Sequence, residues 1–192
     1  DLTDSGMTII EGHLFLNGKK PIQHRSSYGL GEVIKAALDN HTEHLVISLG
    51  GIGSFDGGAG MLQALGATFY DDEAQIVDMR KGAYLIKYIR RIDLSGVHPQ
   101  LTKVNIQLMS DFSSRLYGKK SEIMQTYESL DLSQNEAAEI DNLIWYFSEL
   151  FKNELKIAMG PIERGGAGGG IAAVLNSLYQ AEILTSHELV NQ

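Results

Sequence analysis

The spacing of apolar residues changes several times along the chain, and each change marks an element. Thr8-Ile9-Ile10-Glu11-Gly12-His13-Leu14-Phe15-Leu16 reads as a strand, followed by a turn at Asn17-Gly18 and irregular chain through Lys19-Lys20-Pro21. Glu32 to Leu38 has helical spacing, and Leu45-Val46-Ile47-Ser48-Leu49 is a β-branched run suited to a buried strand. Met61 to Leu65 starts a second helix. Gly66 then serves as its C-cap, ahead of a short strand ending at Tyr70 and an acidic turn at Asp71-Asp72. A helix is expected over Lys81 to Arg90, broken by Ile92 to Pro99, before the alternating strand Val104 to Met109. The longest helix runs from Ser133 to Lys152. It opens on a Ser133/Glu136 capping box and repeats Ala137, Ile140, Leu143, Ile144, Phe147 and Phe151, with Trp145 and Tyr146 completing the packing. The order strand, helix, strand, loop, helix predicts an α/β layered sheet flanked by helices, as a single domain over residues 1–192.

Two glycine-rich stretches interrupt this pattern, each ahead of a helix. The first, Gly50 to Gly60, carries one carboxylate, Asp56, and the second spans Gly165 to Gly170. A strand, glycine and helix junction presents bare backbone N–H groups at the sheet's C-terminal edge, where phosphates and carboxylates bind well. The first loop is not a Walker motif, because it has no lysine, and Asp56 stands where a dinucleotide fingerprint needs a small residue. Asp56 therefore has two readings: a cap for the following helix, or a base or metal holder acting on a hydroxyl-bearing ligand. Asp111, at the end of a strand, is the second candidate for catalysis. Ser27, Gly50, Gly51, Ser54, Gly57, Gly58, Arg164, Gly166 and Gly168 are candidates for holding substrate or phosphate. For Ser27 and Ser54 helix capping is the alternative.

Composition narrows the classes of partner. The chain has 192 residues, a formal net charge of −8 and no cysteine, which excludes disulfides and thiolate zinc sites. An acidic chain without a basic stripe argues against nucleic-acid binding. The one dense basic cluster, Lys87 to Arg91, reads as a solvated helix face. No apolar run approaches the ~20 residues of a membrane span, and a cytoplasmic protein is expected. His41 and His44 have ligand-like spacing but no third partner in sequence, so no metal site is assigned.

Taken together, Ser26-Ser27-Tyr28-Gly29-Leu30-Gly31-Glu32, Gly50-Gly51, Asp56 to Ala67, Ile92-Asp93-Leu94-Ser95-Gly96, Gly165 to Gly170 and Glu188-Leu189-Val190 resemble, in order and spacing, the bacterial glycerate kinases of the two-lobed, non-P-loop type. The resemblance implies one central lobe of such an enzyme. It also implies ATP and Mg²⁺ as cofactors, D-glycerate or a related small sugar acid as acceptor, and a partner lobe outside this sequence. The family's lysine-bearing Asp-Ser-Phe-Lys-Gly motif would precede the chain and its Thr-Gly-Glu-Gly-Arg motif would follow it, so the isolated chain is expected to be inactive.

The chain departs from the family in three places. Ile52-Gly53-Ser54-Phe55 replaces Ser-Ala-Thr-Asn, and Ser110-Asp111-Phe112-Ser113-Ser114-Arg115-Leu116 replaces Cys-Asp-Val-Asp-Asn-Pro-Leu. Tyr127-Glu128-Ser129-Leu130-Asp131 stands where the family has Gly-Pro-Gln-Lys-Gly. The last change removes a lysine, and leaves a catalytically degenerate ligand- or partner-binding module as the alternative function.

Overall fold

The computed structural model describes residues 6–15, 20–51 and 53–191. Its strands are β1 (Met7–Glu11), β2 (His44–Ser48), β3 (Thr68–Tyr70), β4 (Arg91–Asp93), β5 (Asn105–Met109) and β6 (Glu182–Leu184). Its helices are α1 (Tyr28–Asp39), α2 (Ala59–Ala64), α3 (Glu122–Thr126), α4 (Gln134–Leu155), α5 (Ile171–Tyr179) and α6 (Ser186–Val190).

Four strands form a parallel sheet in the order β1-β2-β5-β6, with Ile10 opposite Ile47 and Ile47 opposite Leu108. Parallel strands are joined by crossovers that cover the sheet, so the central strand is apolar on both sides. In β2, every residue from Leu45 to Ser48 is buried. All four strands point the same way and deliver Leu49, Ser110 and Thr185 to one edge. Strands β3 and β4 form a separate antiparallel pair, with Phe69 opposite Ile92.

Helices α1 and α2 approach closely because α1 carries Gly31: a Cβ there would lie 2.5 Å from the Met61 carbonyl oxygen and 2.7 Å from the Ala64 Cβ. Helix α4 lies along the core through Phe147, whose ring meets Phe69 at 5.9 Å and Phe151 at 4.9 Å between centroids. Its capping box forms as expected: the Ser133 hydroxyl accepts the Glu136 N–H while the Glu136 carboxylate accepts the Ser133 N–H.

The structure corrects four expectations. Strand β1 ends at Glu11 and gives way to a 3₁₀ turn over Gly12–Phe15, while Leu16, Asn17, Gly18 and Lys19 lie outside the described residues. The stretch from Lys81 to Arg90 is not an α-helix but two 3₁₀ turns, Met79–Lys81 and Ala83–Tyr88. Its fully buried residues, Ala83, Ile86 and Ile89, recur every third position, a period that suits the 3₁₀ turn. Gly82 between the turns adopts φ +129° and abuts the backbone of Gln23 and His24, which halts α-helical propagation. Next, Ile92 belongs to a strand rather than to a break, because it pairs with Phe69. Finally, Trp145 is 48% exposed, whereas the Tyr146 hydroxyl donates to the Ile89 carbonyl at 2.7 Å. No helix among the described residues is long and apolar enough to cross a membrane.

Candidate functional site

The first glycine loop leaves β2 in two parts with different roles. Gly50 and Gly51 are exposed at the sheet edge, whereas every residue from Ser54 to Gly60 is buried. Asp56 is the reason the second part folds inward. Its carboxylate accepts the backbone N–H of Ser27 at 2.7 Å, of Gly58 at 3.1 Å and of Gly60 at 3.2 Å, and the Ser27 hydroxyl at 2.9 Å. The same hydroxyl accepts the Met61 N–H at 2.8 Å. Asp56 and Ser27 together satisfy the N-termini of α1 and α2, groups that would otherwise lie buried and unpaired. Burial pushes the Asp56 carboxyl upward from its ordinary value, and the donated hydrogen bonds pull the other way.

The second glycine loop packs on the first. Gly169 accepts the Gly57 N–H at 3.0 Å, and a Cβ at Gly169 would run into the Ser54 carbonyl oxygen. Gly168 and Gly169 both adopt φ +64°, which turns their N–H groups toward the first residue of α3. That residue is Glu122. Its Oε2 accepts the Gly169 N–H at 3.3 Å, and its carboxylate is also held by the Gly168 N–H. Desolvation outweighs these bonds and raises its pKa from 4.5 to about 7. Sequence reasoning missed Glu122, because an acidic residue after serine at a helix start is the ordinary signature of a cap; Ser121 does accept the Met124 N–H. Only the loop that arrives from 47 residues downstream gives the carboxylate its setting.

Glu122 and Asp111 line one cavity of about 480 Å³ at the C-terminal edge of the parallel sheet. Gly50, Gly51 and Gly53 border it, with Ser48 and Ser110 beside them and Leu49, Phe55, Met109, Phe112 and Leu130 as apolar wall. Asp111 is exposed, and its Oδ1 accepts the Ser186 N–H at 2.8 Å and hydroxyl at 2.9 Å, which ties α6 to the rim. Among the described residues no lysine or arginine lines this cleft. Nor do the described residues contain a group of three or more His, Cys, Asp or Glu side chains placed to hold a metal ion.

The residues expected from the sequence therefore divide three ways. Gly50, Gly51 and Asp111 face the cleft. Ser27, Ser54, Asp56, Gly57, Gly58, Gly166 and Gly168 are buried beneath it, where the two loops meet. Direct contact with a ligand is not what this geometry offers them; the helix-capping reading describes what Asp56 and Ser27 do. The Ser54 hydroxyl is buried without a hydrogen-bond partner among the described residues. Arg164 lies away from the cleft, paired with Glu188 at 3.2 Å. Ile52 is outside the described residues.

Chemically, the cleft combines bare amides at Gly50 and Gly51, two carboxylates and several hydroxyls. It suits a small, polar, hydroxyl-bearing ligand, with Glu122 able to exchange a proton near neutral pH.

The sequence matches the glycerate kinase family over residues 6–192. It is 30% identical to a glycerate kinase of Halalkalibacterium halodurans over 180 residues, 94% of this chain and 47% of that protein. It is also 30% identical to the glycerate 2-kinase of Escherichia coli, over 86% of this chain and 43% of that one. The fold superposes on the crystal structure of a protein described as glycerate kinase 2 from Salmonella typhimurium LT2, with a TM-score of 0.89 and 27% identity, across 98% of this chain and 51% of the other. The chain thus spans about half the length of the relatives it matches.

Proposed function

This chain belongs to the glycerate kinase family, and from that premise we propose that it builds one wall of a cytoplasmic kinase site, which transfers a phosphoryl group from ATP to a hydroxyl of D-glycerate or a related small sugar acid. The observation that carries the reading is the cleft at the sheet's C-terminal edge, where the Gly50 and Gly51 backbone meets Asp111 and Glu122.

Glu122 takes the proton of the acceptor hydroxyl as that oxygen bonds to the γ-phosphorus and the bond from phosphorus to the departing ADP breaks. Its raised pKa lets it hold that proton near pH 7 and release it afterwards. The amides of Gly50 and Gly51 donate to the acceptor's carboxylate or to phosphoryl oxygens, and a Cβ at Gly50 would meet nothing within 4 Å, so the approach there is open. Asp56, Ser27, Ser54, Gly57, Gly58, Gly166 and Gly168 act as positioning residues that fix the two loops. Mg²⁺ bound with nucleotide phosphates takes one or two protein carboxylates, and Asp111 at the rim would supply one of them. Mg²⁺–ATP would supply the phosphoryl group and the charge that neutralises its transfer. Among the described residues no lysine or arginine lines the cleft, so in this reading a partner lobe outside the sequence supplies further positive side chains there.

The test is ADP release from Mg²⁺–ATP with D-glycerate as acceptor, measured on the full native polypeptide. Acceptor-dependent turnover is expected, and its absence overturns the reading. One observation favours a second reading, a non-catalytic binding module: the segment Tyr127 to Asp131, which lines the cleft through Ser129 and Leu130, contains no cation. No turnover combined with thermal stabilisation by D-glycerate would select that reading.

A further inference from the structure

A second, smaller cavity of about 140 Å³ lies at the start of the second glycine loop, lined by Ser113, Ser114, Arg115, Lys120, Glu163 and Arg164. Its volume is that of roughly four to five water molecules, enough for a small oxyanion. In a chain whose net charge is −8, three cations against one lining carboxylate is a local reversal of sign.

The positions of these cations follow from the backbone. Arg115 and Lys120 are held at the base of one tight loop, by the Arg115 N–H donating to the Lys120 carbonyl at 2.8 Å. Arg164 is fixed from behind. One of its terminal nitrogens donates to Glu188 at 3.2 Å, and its backbone sits at φ +55°, a region that non-glycine residues seldom adopt. A guanidinium has five N–H donors, so the single bond to Glu188 leaves donors for a ligand. Arg115 likewise uses one nitrogen, on the Pro161 carbonyl at 3.4 Å. Ser114 supplies a separate observation: its hydroxyl is buried, with no hydrogen-bond partner among the described residues. Leaving a buried hydroxyl unpaired is costly, and such a group marks a place where a partner belongs.

We propose that this cavity is an oxyanion subsite for a phosphoryl group, bound by Arg115, Lys120 and Arg164 and by a hydrogen bond from the Ser114 hydroxyl. Arginine forks match phosphate geometry, and the cluster of cations favours a dianion over a single carboxylate. The site shares its segments with the main cleft: Ser113 and Ser114 follow Asp111 and Phe112, and Arg164 leads into the loop whose amides hold Glu122. A phosphate carried on a ligand in the cleft and free inorganic phosphate offer the same chemistry here. The inference goes beyond the kinase reading, since it stands on the cavity itself and holds whether or not the protein turns over.

Isothermal titration calorimetry with inorganic phosphate tests it on the full native polypeptide, with chloride balancing the ionic strength. One phosphate site is expected. Arg115→Glu combined with Lys120→Glu, both on exposed side chains, should weaken phosphate at least about tenfold, the size expected for lost charge-assisted bonds. Ser114→Ala should weaken phosphate while leaving the melting temperature unchanged or higher, since it removes an unpaired buried hydroxyl. Competition by ADP identifies a nucleotide as the source of the phosphoryl group, competition by a phosphorylated sugar acid identifies the product, and competition by neither identifies free phosphate. Equal phosphate affinity in the parent and the double variant overturns the proposal. So does a parent that binds phosphate no better than chloride. A parent that turns over but binds no phosphate removes the subsite and spares the kinase, and a parent that binds phosphate without turnover does the opposite.

Discussion

Asp56 and Glu122 are both carboxylates held by backbone amides, yet their settings give them different work. Asp56 has no exposure and is surrounded by donors on α1, α2 and its own loop. Asp56→Asn would turn an NH₂ group toward those N–H groups, so a loss of about 2–4 kcal/mol is expected in urea unfolding. Unchanged stability would remove Asp56 from its capping role. Glu122 faces the cleft, and its protonation couples to stability. Its folded pKa, about 7, lies above the ordinary 4.5. Between those values the native state binds more protons than the unfolded one, so stability falls as pH rises through the window, by at most about 3 kcal/mol. Glu122→Gln carries no charge, and its melting temperature should lack that decline between pH 4.5 and 7. Parallel pH profiles for parent and variant would contradict the assignment. In turnover assays, Glu122→Gln should lower kcat about 10²–10⁴-fold if it serves as the base.

At the scale of elements, the two glycine loops use their glycines in different ways. Gly169 is needed for contact between loops: it combines φ +64° with backbone of Ser54 where a Cβ would stand. Gly169→Ala should therefore cost at least about 2 kcal/mol, through both the left-handed backbone and the collision. Gly50 borders open cleft, so Gly50→Ala should change stability by no more than about 0.5 kcal/mol while weakening ligand binding. A calorimetric scan of the two variants distinguishes these roles, and similar melting temperatures would overturn the division. The strand runs at Leu45 to Leu49 and Val104 to Met109, the α4 stripe and its capping box were legible because their signals are local, set by period and by neighbours within one turn. The Lys81 to Arg90 segment was not, because a three-residue period and Gly82 pressed on the backbone of His24 overrule a composition that favours helix.

At the scale of the molecule, the core and the site are one structure. Phe147 joins Phe69 and Phe151 on one side and packs against Gly57 of the first loop on the other, where a Cβ would come within 2.8 Å of its ring. Phe147→Ala should cost about 3–5 kcal/mol and loosen the loop along with the core. Hydrogen exchange at the Gly57 and Gly58 amides would show both effects, and protection there unchanged from the parent would separate loop from core. The chain spans about half the length of its relatives, and among the described residues no lysine or arginine lines the cleft.

The sequence by itself determined the α/β class, the main strands and helices and the family to which the chain belongs, and it put forward Gly50, Gly51 and Asp111 among its site candidates. Those follow from hydrophobic period and short motifs, which are read within a few residues. Only the tertiary structure decided that Asp56 and Ser27 are buried helix caps, that Glu122 is the second carboxylate of the cleft, and that Ser114 joins Arg115, Lys120 and Arg164 around one cavity. Each of these depends on the second glycine loop, or on α1, arriving from a distant part of the chain. A carboxylate's burial, its hydrogen-bond donors and hence its chemistry are set by those arrivals rather than by its neighbours in sequence.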